Sequence, residues 1–385
     1  MKKKNSSQTA ASHEQQLATR PSLILKGDNG LGYPTVEQLI DDILATRRAS
    51  EFGAVIGESR SGRPIRAACI GHGETRVSLI GGCHADEPVG PRLLRHLVAY
   101  LQAQPSDSPI LRDYQWWILP HLNPDGEVAN RAWYADDDTH YNLIRYLKHV
   151  TRELPGDDIE FGFPHEPADE DARPENRAAY DWWQSAPGPF QLHASLHGMM
   201  YGGGPWFLLD ASWRDRTDGF QTKCQNAVTN LGYELHDVQR HGEKGFVRIE
   251  TGFCTRPDSA AMREYFLRRD DATTAALFRP SSMETVRSLG GDPLTLVSEM
   301  PLFIAPGVGR QLGPPDPVAE KWKKKFHLWH QQLQRERPED RIRACAASGD
   351  LRAMPVRDQM QLQWTMITAG LEAVVGQTTK HQTEA

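Results

Sequence analysis

Two short segments of this 385-residue chain carry side chains that could hold a metal ion. His84 and Glu87 stand three residues apart, directly after Gly81-Gly82, and His197 stands much further along the chain, before Gly198. A spacing of three on a turn or helix start brings two side chains to the same side of the backbone. Two histidines and a carboxylate form the ligand set of a catalytic zinc, with a fourth position left for water. We therefore predict one zinc ion per chain, in a hydrolytic site.

The elements that would position these residues are apolar runs typical of buried strands. Three such runs end at or just before a candidate residue, and they span 76–82, 190–196 and 293–299. Strands alternate with helices along most of the chain, which indicates an α/β fold with a sheet between layers of helices. Ligands of such sheets bind at the carboxyl ends of the strands. We therefore expect His84, His197 and Glu299 to lie close together.

Two residues need to be weighed in this scheme, Glu299 and His193. Glu299 ends an apolar strand and is followed by more apolar residues, so its carboxylate needs a partner or a task. A carboxylate near a zinc-activated water is suited to act as general base. His193 has the same strand parity as His197, so alternation does not separate them. The strand-end position, next to a glycine-rich stretch, favours His197 as the ligand.

Composition excludes several classes of function. The net charge of −6 and pI near 6.2 argue against nucleic acid or an anionic membrane as the main partner. The sequence has no apolar run of eighteen residues and no apolar stretch after its basic start, which argues against a membrane span or a signal peptide. Five scattered cysteines favour free thiols in a reducing compartment. We expect a cytoplasmic protein.

The chain divides into regions of different character. Residues 1–30 are polar and aperiodic and predict a disordered arm. Residues 31–345 form the predicted catalytic domain, in which 135–181 is an acidic, proline-rich insertion with one helix near 142–154. Residues 346–385 form a helical tail. The helix predicted over 356–375 has an apolar stripe that could dock on its own domain, which we favour, or on a second subunit.

Several motifs, taken in order, make the sequence resemble the zinc metallocarboxypeptidase family, in the manner of a divergent bacterial member. The matching segments are Gly57 to Ile65, His84 with Glu87, Asn123 to Gly126, Ser195 to Gly198, and Ser298-Glu299. The resemblance covers most of the chain. It implies a mixed, mainly eight-stranded sheet flanked by helices. It also implies a water-promoted hydrolysis of a peptide or amide bond in which Glu299 is the base.

The resemblance also implies residues that bind the substrate, although the chain departs from the family pattern here. Arg131 is the nearest match to the arginine that polarises the scissile carbonyl. The adjacent Asn-Arg pair that holds a terminal carboxylate in the family is absent, and Asn142 and Arg145 are the candidates in its place.

The substrate class stays open between two alternatives. The segment His84 to Pro88 is also similar to the first-ligand segment of the related N-acyl amino acid deacylases of the aspartoacylase and desuccinylase group. The expected partner is therefore a peptide or an N-acyl amino acid. A third hypothesis is a zinc-binding module without activity, but such a module has no need of Glu299.

Overall fold

A computed structural model of the protein describes residues 33–40, 52–154, 156–310, 316–335 and 339–383. The predicted arm over 1–30 lies outside the described residues. The described part begins with α1 (Val36–Ile40).

The centre of the molecule is a mixed sheet of ten strands in the described part of the chain. The strands are β1 (Ala54–Glu58), β2 (Pro64–Gly71), β3 (Thr75–Gly81), β4 (Tyr114–Leu119), β5 (Leu192–Gly202), β6 (Trp206–Leu209), β7 (Arg248–Glu250), β8 (Phe253–Thr255), β9 (Leu294–Ile304) and β10 (Arg352–Ala353). Their order is β1-β2-β4-β3-β5-β9-β6-β8-β7, and β10 pairs with β9. A mixed sheet flanked by helices confirms the predicted fold class. The count exceeds eight because β7, β8 and β10 are strands of only two or three residues.

The register of the central parallel strands places the predicted site. β5 runs beside β3 on one side and beside β9 on the other, and His197 of β5 pairs with Glu299 of β9. Both strands continue to Gly202 and Ile304, so these two residues do not end their strands as predicted. β3 does end at Gly81, which opens the sheet beside His197. The site therefore lies where the central strand pair extends beyond its shorter neighbour.

Helices cover both faces of this sheet. After α1 they are α2 (Val89–Gln102), α3 (Pro109–Arg112), α4 (Pro124–Asn130), α5 (Leu143–His149), α6 (Pro174–Gln184), α7 (Asp218–Asn230), α8 (Ser259–Leu267), α9 (Ala272–Ala275), α10 (Ser282–Ser288), α11 (Pro317–Gln334), α12 (Glu339–Ser348) and α13 (Val356–Thr383). Short 3₁₀ turns occur at Ala211–Arg216 and Glu243–Gly245. Among the described residues, no helix is both long and apolar enough to cross a bilayer.

The apolar stripe of α13 packs against its own domain. Its side chains are all buried, and they are Met360, Trp364, Ile367, Leu371 and Val374. The helix contacts α7, α2, β9 and β5. Full burial of an apolar side chain of this size stabilises a fold by roughly 1.5–3 kcal/mol, so this helix is an integral part of the sheet's cover.

The acidic segment 135–181 is also built into the fold. Its first helix, α5, is shorter than predicted and begins where the Asn142 side chain caps the backbone N–H groups of Ile144 and Arg145. Further along, Ile159 and Phe163 are fully buried in a cluster that includes Trp183 of α6. Because the same cluster contains residues of β2, β3 and β4, the segment is anchored against the sheet and the polar side chains next to it are held in place.

Candidate metal centre

The structure brings His84, Glu87 and His197 together. The Nδ1 atom of His84 lies 2.8 Å from Oε1 of Glu87, and Nδ1 of His197 lies 2.9 Å from Oε2 of the same carboxylate. The two Nδ1 atoms are 3.2 Å apart. The donor atoms of all three side chains fall within 4.8 Å of one another, a spacing at which one cation can contact them all. His193 is not part of this group. His197, the histidine that the glycine-rich context favoured, is.

The turn after β3 explains how His84 and Glu87 reach the same point. Gly82 adopts a left-handed backbone with φ of 67°. A Cβ at this position would lie 2.4 Å from Nδ1 of His121, so a side chain is excluded by space as well as by conformation. The chain then turns into α2, which begins at Val89, and Glu87 is presented just before the helix.

Each histidine has a carboxylate behind it. Nε2 of His84 lies 3.2 Å from Oδ1 of Asp158, and Nε2 of His197 lies 3.1 Å from Oε2 of Glu160. If a metal ion were bound at the two Nδ1 atoms, each Nε2 would be the protonated nitrogen and would donate to its carboxylate. Carboxylate partners of this kind are typical behind metal-ligating histidines. The donor set and its supports therefore fit a zinc ion.

The electrostatics of the cluster agree with that fit. Burial opposes charge on all three side chains, yet the two histidines hold the pKa of Glu87 well below its ordinary value. In turn, Glu87 and Glu160 raise the pKa of His197 to about 10 against the effect of burial. The cluster thus attracts positive charge, which a metal ion can supply in place of protons.

Glu299 faces this cluster from the neighbouring strand. It lies between His197 of β5 and Trp206 of β6 in the register of the sheet. Burial and the nearby Glu87 raise the pKa of Glu299, whereas His197, His84 and Arg152 act in the opposite direction. A carboxyl group with a raised pKa can both take up and give back a proton near neutral pH.

The arginine beside the cluster is Arg152, which the sequence analysis did not select. Its guanidinium lies 3.3 Å from Nδ1 of His84, 3.3 Å from Oε1 of Glu87 and 3.1 Å from Oδ1 of Asp86. The predicted Arg131 follows α4 and is held in ion pairs with Glu127 and Asp136. Arg152 belongs to the acidic segment, where no motif or periodic pattern marked it.

The two predicted clamp residues have other partners. Oδ1 of Asn142 accepts hydrogen bonds from the backbone N–H groups of Ile144 and Arg145, at 3.0 and 3.1 Å. The Arg145 guanidinium lies 3.5 Å from the carbonyl oxygen of Ala132. The structure does not bring either side chain to the His84 and Glu87 cluster, since Asn142 serves as a helix cap.

A cavity of about 400 Å³ borders the cluster on the side of Asp86 and Arg152. Its wall is mostly apolar and aromatic, with three basic or titratable side chains on α11. The lining includes Tyr146, Leu147, Val150, Met200, Tyr201, Phe326, Lys323, His327 and His330. The space is within the size range of small-ligand sites.

Comparisons with known proteins agree with this geometry. Residues 38–202 match the zinc carboxypeptidase family. The matched segment is less than half of the chain, and it contains four of the five motifs through which the sequence resembles that family.

Individual relatives are distant. Mouse carboxypeptidase M is 28% identical over 157 residues, which are 37% of this chain and 32% of that protein. Mouse carboxypeptidase D is 29% identical over 133 residues, covering 33% of this chain and 9% of that protein. The chain thus spans a third or less of these curated relatives. A metallo-carboxypeptidase from Pseudomonas aeruginosa, solved with (2-guanidinoethylmercapto)succinic acid, has 14% identity and a TM-score of 0.45, over 88% of this chain and 68% of that chain.

Proposed function

We propose that this protein is a zinc-dependent amide hydrolase of the carboxypeptidase type, with zinc held by His84, Glu87 and His197. Zinc bound there would polarise the scissile carbonyl and activate a water for attack. The observation that carries the proposal is the position of Glu299, paired in register with His197 and within the field of Glu87. A site that only binds metal does not need a second buried carboxyl group with a raised pKa next to Glu87.

Glu299 is the general base in this proposal. It takes the proton that the attacking water gives up and then passes it to the leaving amine. Burial beside Glu87 raises its pKa, so the carboxyl group is matched to both proton transfers near neutral pH.

Arg152 takes the role that the sequence analysis gave to Arg131. Its guanidinium is the positive group that contacts His84 and Glu87 directly. Asp86 holds it from behind at 3.1 Å, so it is already oriented before substrate arrives. A fixed cation at this position stabilises the negative charge that develops on the carbonyl oxygen.

The cavity beside Arg152 is suited to an apolar or aromatic group of the substrate. Tyr201 and Phe326 stack in its wall with ring centroids 4.8 Å apart, and Tyr146 is fully buried there. Lys323, on the same cavity, carries a positive charge that could meet a carboxylate. A carboxypeptidase substrate with an apolar terminal side chain has both features.

A second candidate is the N-acyl amino acid deacylase. It is favoured by the finding that Asn142 caps a helix instead of facing the cluster. A terminal-carboxylate clamp built from Asn142 and Arg145 therefore has no support in the structure. Both candidates use the same zinc, base and arginine, and differ only in the groups recognised on either side of the amide.

The test compares the wild type with Glu299→Gln on two matched panels. The first contains N-blocked dipeptides with a free or an amidated C-terminus, and the second contains N-acetyl and N-succinyl amino acids. We expect cleavage of the free-carboxylate dipeptides, and a fall in kcat of roughly 10²–10⁴-fold in Glu299→Gln with zinc content unchanged. Cleavage of the N-acyl amino acids alone would favour the deacylase. Bound zinc without turnover on either panel would favour a binding module.

A further inference from the structure

We propose that the substrate carries a carboxylate that binds Arg240 and Lys244, on the side of the scissile amide away from the cavity beside Arg152. The inference rests on the proposed function, because it takes Glu299 as the point at which the amide is cleaved. It names the chemistry of one substrate group that the proposed function leaves open.

A row of three side chains leads from the metal cluster to an aromatic platform. His197, Glu299 and Trp206 are register partners on the neighbouring strands β5, β9 and β6. Directly opposed residues of neighbouring strands present their side chains on the same face of a sheet. Trp206 therefore stands beside Glu299, one strand spacing of about 4.8 Å further from His197.

The platform consists of Trp206 and Phe246. Their rings stack with centroids 5.4 Å apart and an angle of 22° between the planes. Both side chains are partly exposed, so the platform offers an apolar surface to a bound molecule. A substrate held at Glu299 reaches this surface with the group that lies on that side of its amide.

Three basic side chains gather around the platform, and we call them the basic patch. The Arg240 guanidinium lies 5.7 Å from the centroid of the Phe246 ring. The Lys244 amine and the Arg269 guanidinium lie 4.9 and 3.6 Å from the centroid of the Tyr265 ring. The aromatic faces attract these cations and hold them in place. Because Lys244 and Phe246 are two residues apart in one turn, the basic patch continues the platform.

The basic patch has no matching negative charge in the part of the chain that the structure describes. None of its members forms an ion pair there, whereas the adjacent Arg248 pairs with Asp237 at 2.9 Å. Nε of Arg240 is buried and has no hydrogen-bond partner among the described residues. The carboxylate of Glu243, in the same turn, accepts a hydrogen bond from the backbone N–H of His241 at 2.9 Å.

Lys244 is held in an unfavourable setting. Its backbone is left-handed, with φ of 60°, which is uncommon for a residue with a side chain. Burial, Arg240 and Arg269 together hold the pKa of Lys244 below its ordinary value. Like charges brought together without a counter-charge disfavour the charged forms, and a bound anion relieves that repulsion.

A carboxylate is the anion that this arrangement fits in the substrate of an amide hydrolase. Guanidinium and ammonium groups form their strongest hydrogen bonds with carboxylates and phosphates. Peptides and N-acyl amino acids contain the former and not the latter. The aromatic platform can pack against the methylene groups between the amide and the carboxylate, as in a glutamate side chain.

A purely structural role for the basic patch makes a different prediction. If the cations only brace the turn against the rings of Tyr265 and Phe246, removing one of them lowers stability and leaves substrate preference unchanged. Preference between charged and neutral substrates of the same shape therefore separates a binding role from a structural one.

The test measures kcat/KM of the zinc-loaded protein on two matched pairs of N-blocked dipeptides. Glutamate or the isosteric glutamine stands before phenylalanine in the first pair and after it in the second. We expect the wild type to prefer the glutamate peptide of one pair by about 10–100-fold, the value of a hydrogen bond to a charged group. That pair also shows which side of the amide faces the basic patch. Arg240→Met and Lys244→Met should each lose most of this preference, while kcat/KM for the glutamine peptides stays unchanged.

Lys325→Met is the matched control. Lys325 is also a partly buried lysine over an aromatic ring, 4.2 Å from the centroid of Trp322 on α11. Its removal should leave the preference for glutamate intact. Equal kcat/KM for glutamate and glutamine peptides in the wild type would overturn the proposal. So would a preference that persists in both Arg240→Met and Lys244→Met, or one that is lost in Lys325→Met.

A second readout depends neither on turnover nor on any variant folding. Saturation-transfer NMR compares the binding of N-acetylglutamate and N-acetylglutamine to the wild type, and then to Lys244→Met. We expect the wild type to bind N-acetylglutamate about tenfold or more tightly than N-acetylglutamine. Equal binding of the two would overturn the carboxylate site even if peptides are cleaved. Selective binding without cleavage of any peptide would support the carboxylate site and count against the proposed function instead.

Discussion

Strand β5 contains two histidines that differ in almost everything except burial. His193, in the first part of the strand, is fully buried between the hydroxyl groups of Ser78 and Ser282, at 2.9 and 3.2 Å. His197, four residues later, is 4% exposed and lies between the carboxylates of Glu87 and Glu160. Burial lowers the pKa of His193 to about 3, whereas the two carboxylates raise the pKa of His197 to about 10.

The contrast shows that the neighbours of a buried histidine decide its chemistry. Neutral hydroxyls stabilise a neutral imidazole, which then serves packing and hydrogen bonding. Carboxylates on both ring nitrogens make a place for positive charge, either protons or a metal ion. The first part of β5 is thus structural, and the part beyond the end of β3 is where we place the chemistry.

The largest expected difference between the two regions is in metal binding. His197→Gln should lose zinc and with it turnover, because one of three ligands is removed. His193→Gln should keep its zinc while losing stability, by about 1–3 kcal/mol for the disturbed buried hydrogen bonds. Metal analysis and denaturant unfolding of both variants check this. Loss of zinc from a folded His193→Gln protein would contradict the assignment of a purely structural role to His193.

The arginine that matters for turnover should be the one beside the cluster of His84, Glu87 and His197. Arg152→Met should lower kcat roughly 10²–10³-fold, since a fixed positive group at the developing oxyanion contributes about 3–4 kcal/mol. Arg131→Met is the matched control, because it removes an arginine whose ion pairs with Glu127 and Asp136 are partly exposed. Steady-state kinetics decide between them. A larger fall in kcat for Arg131→Met would instead support Arg131, the residue selected from the sequence.

The buried, neutral His193 should make the stability of the fold depend on pH. His193 has a folded pKa of about 3, below its ordinary value near 6.5. Below pH 6.5 the unfolded chain therefore binds the proton that the folded chain refuses, and stability falls as pH is lowered toward 3. The slope from this group is at most about 1.4 kcal/mol per pH unit. Urea unfolding between pH 7 and 4 should give a shallower slope in His193→Gln than in wild type, and equal slopes would contradict the assignment.

The smallest expected effect is at Ser78. Ser78→Ala removes one hydrogen bond to Nδ1 of the neutral His193 and should reduce stability by about 1 kcal/mol. Zinc affinity should not change, because the bond lies on the structural side of the strand. Weaker zinc binding in this variant would show that the two regions are coupled.

Much of the fold was predictable from local sequence patterns. The three apolar runs that predicted buried strands correspond to β3, β5 and β9, and the apolar stripe over 356–375 corresponds to α13. These signals are local, since each is carried by residues that contact one another within a few positions. The end of β5 was misplaced by several residues because the strand continues through a glycine-rich stretch that reads as a loop.

The sequence by itself determined His84, Glu87, His197 and Glu299 as a candidate group, because each lies in a motif attached to a recognisable strand. Only the tertiary structure decided which residues support them. Arg152 and Glu160 come from a segment that reads as a solvated acidic insertion, and they contact residues 68 and 37 positions away. Such contacts depend on how buried Ile159 and Phe163 anchor the segment. No spacing along the chain encodes that geometry, so the partners of the site became visible only once the chain was folded.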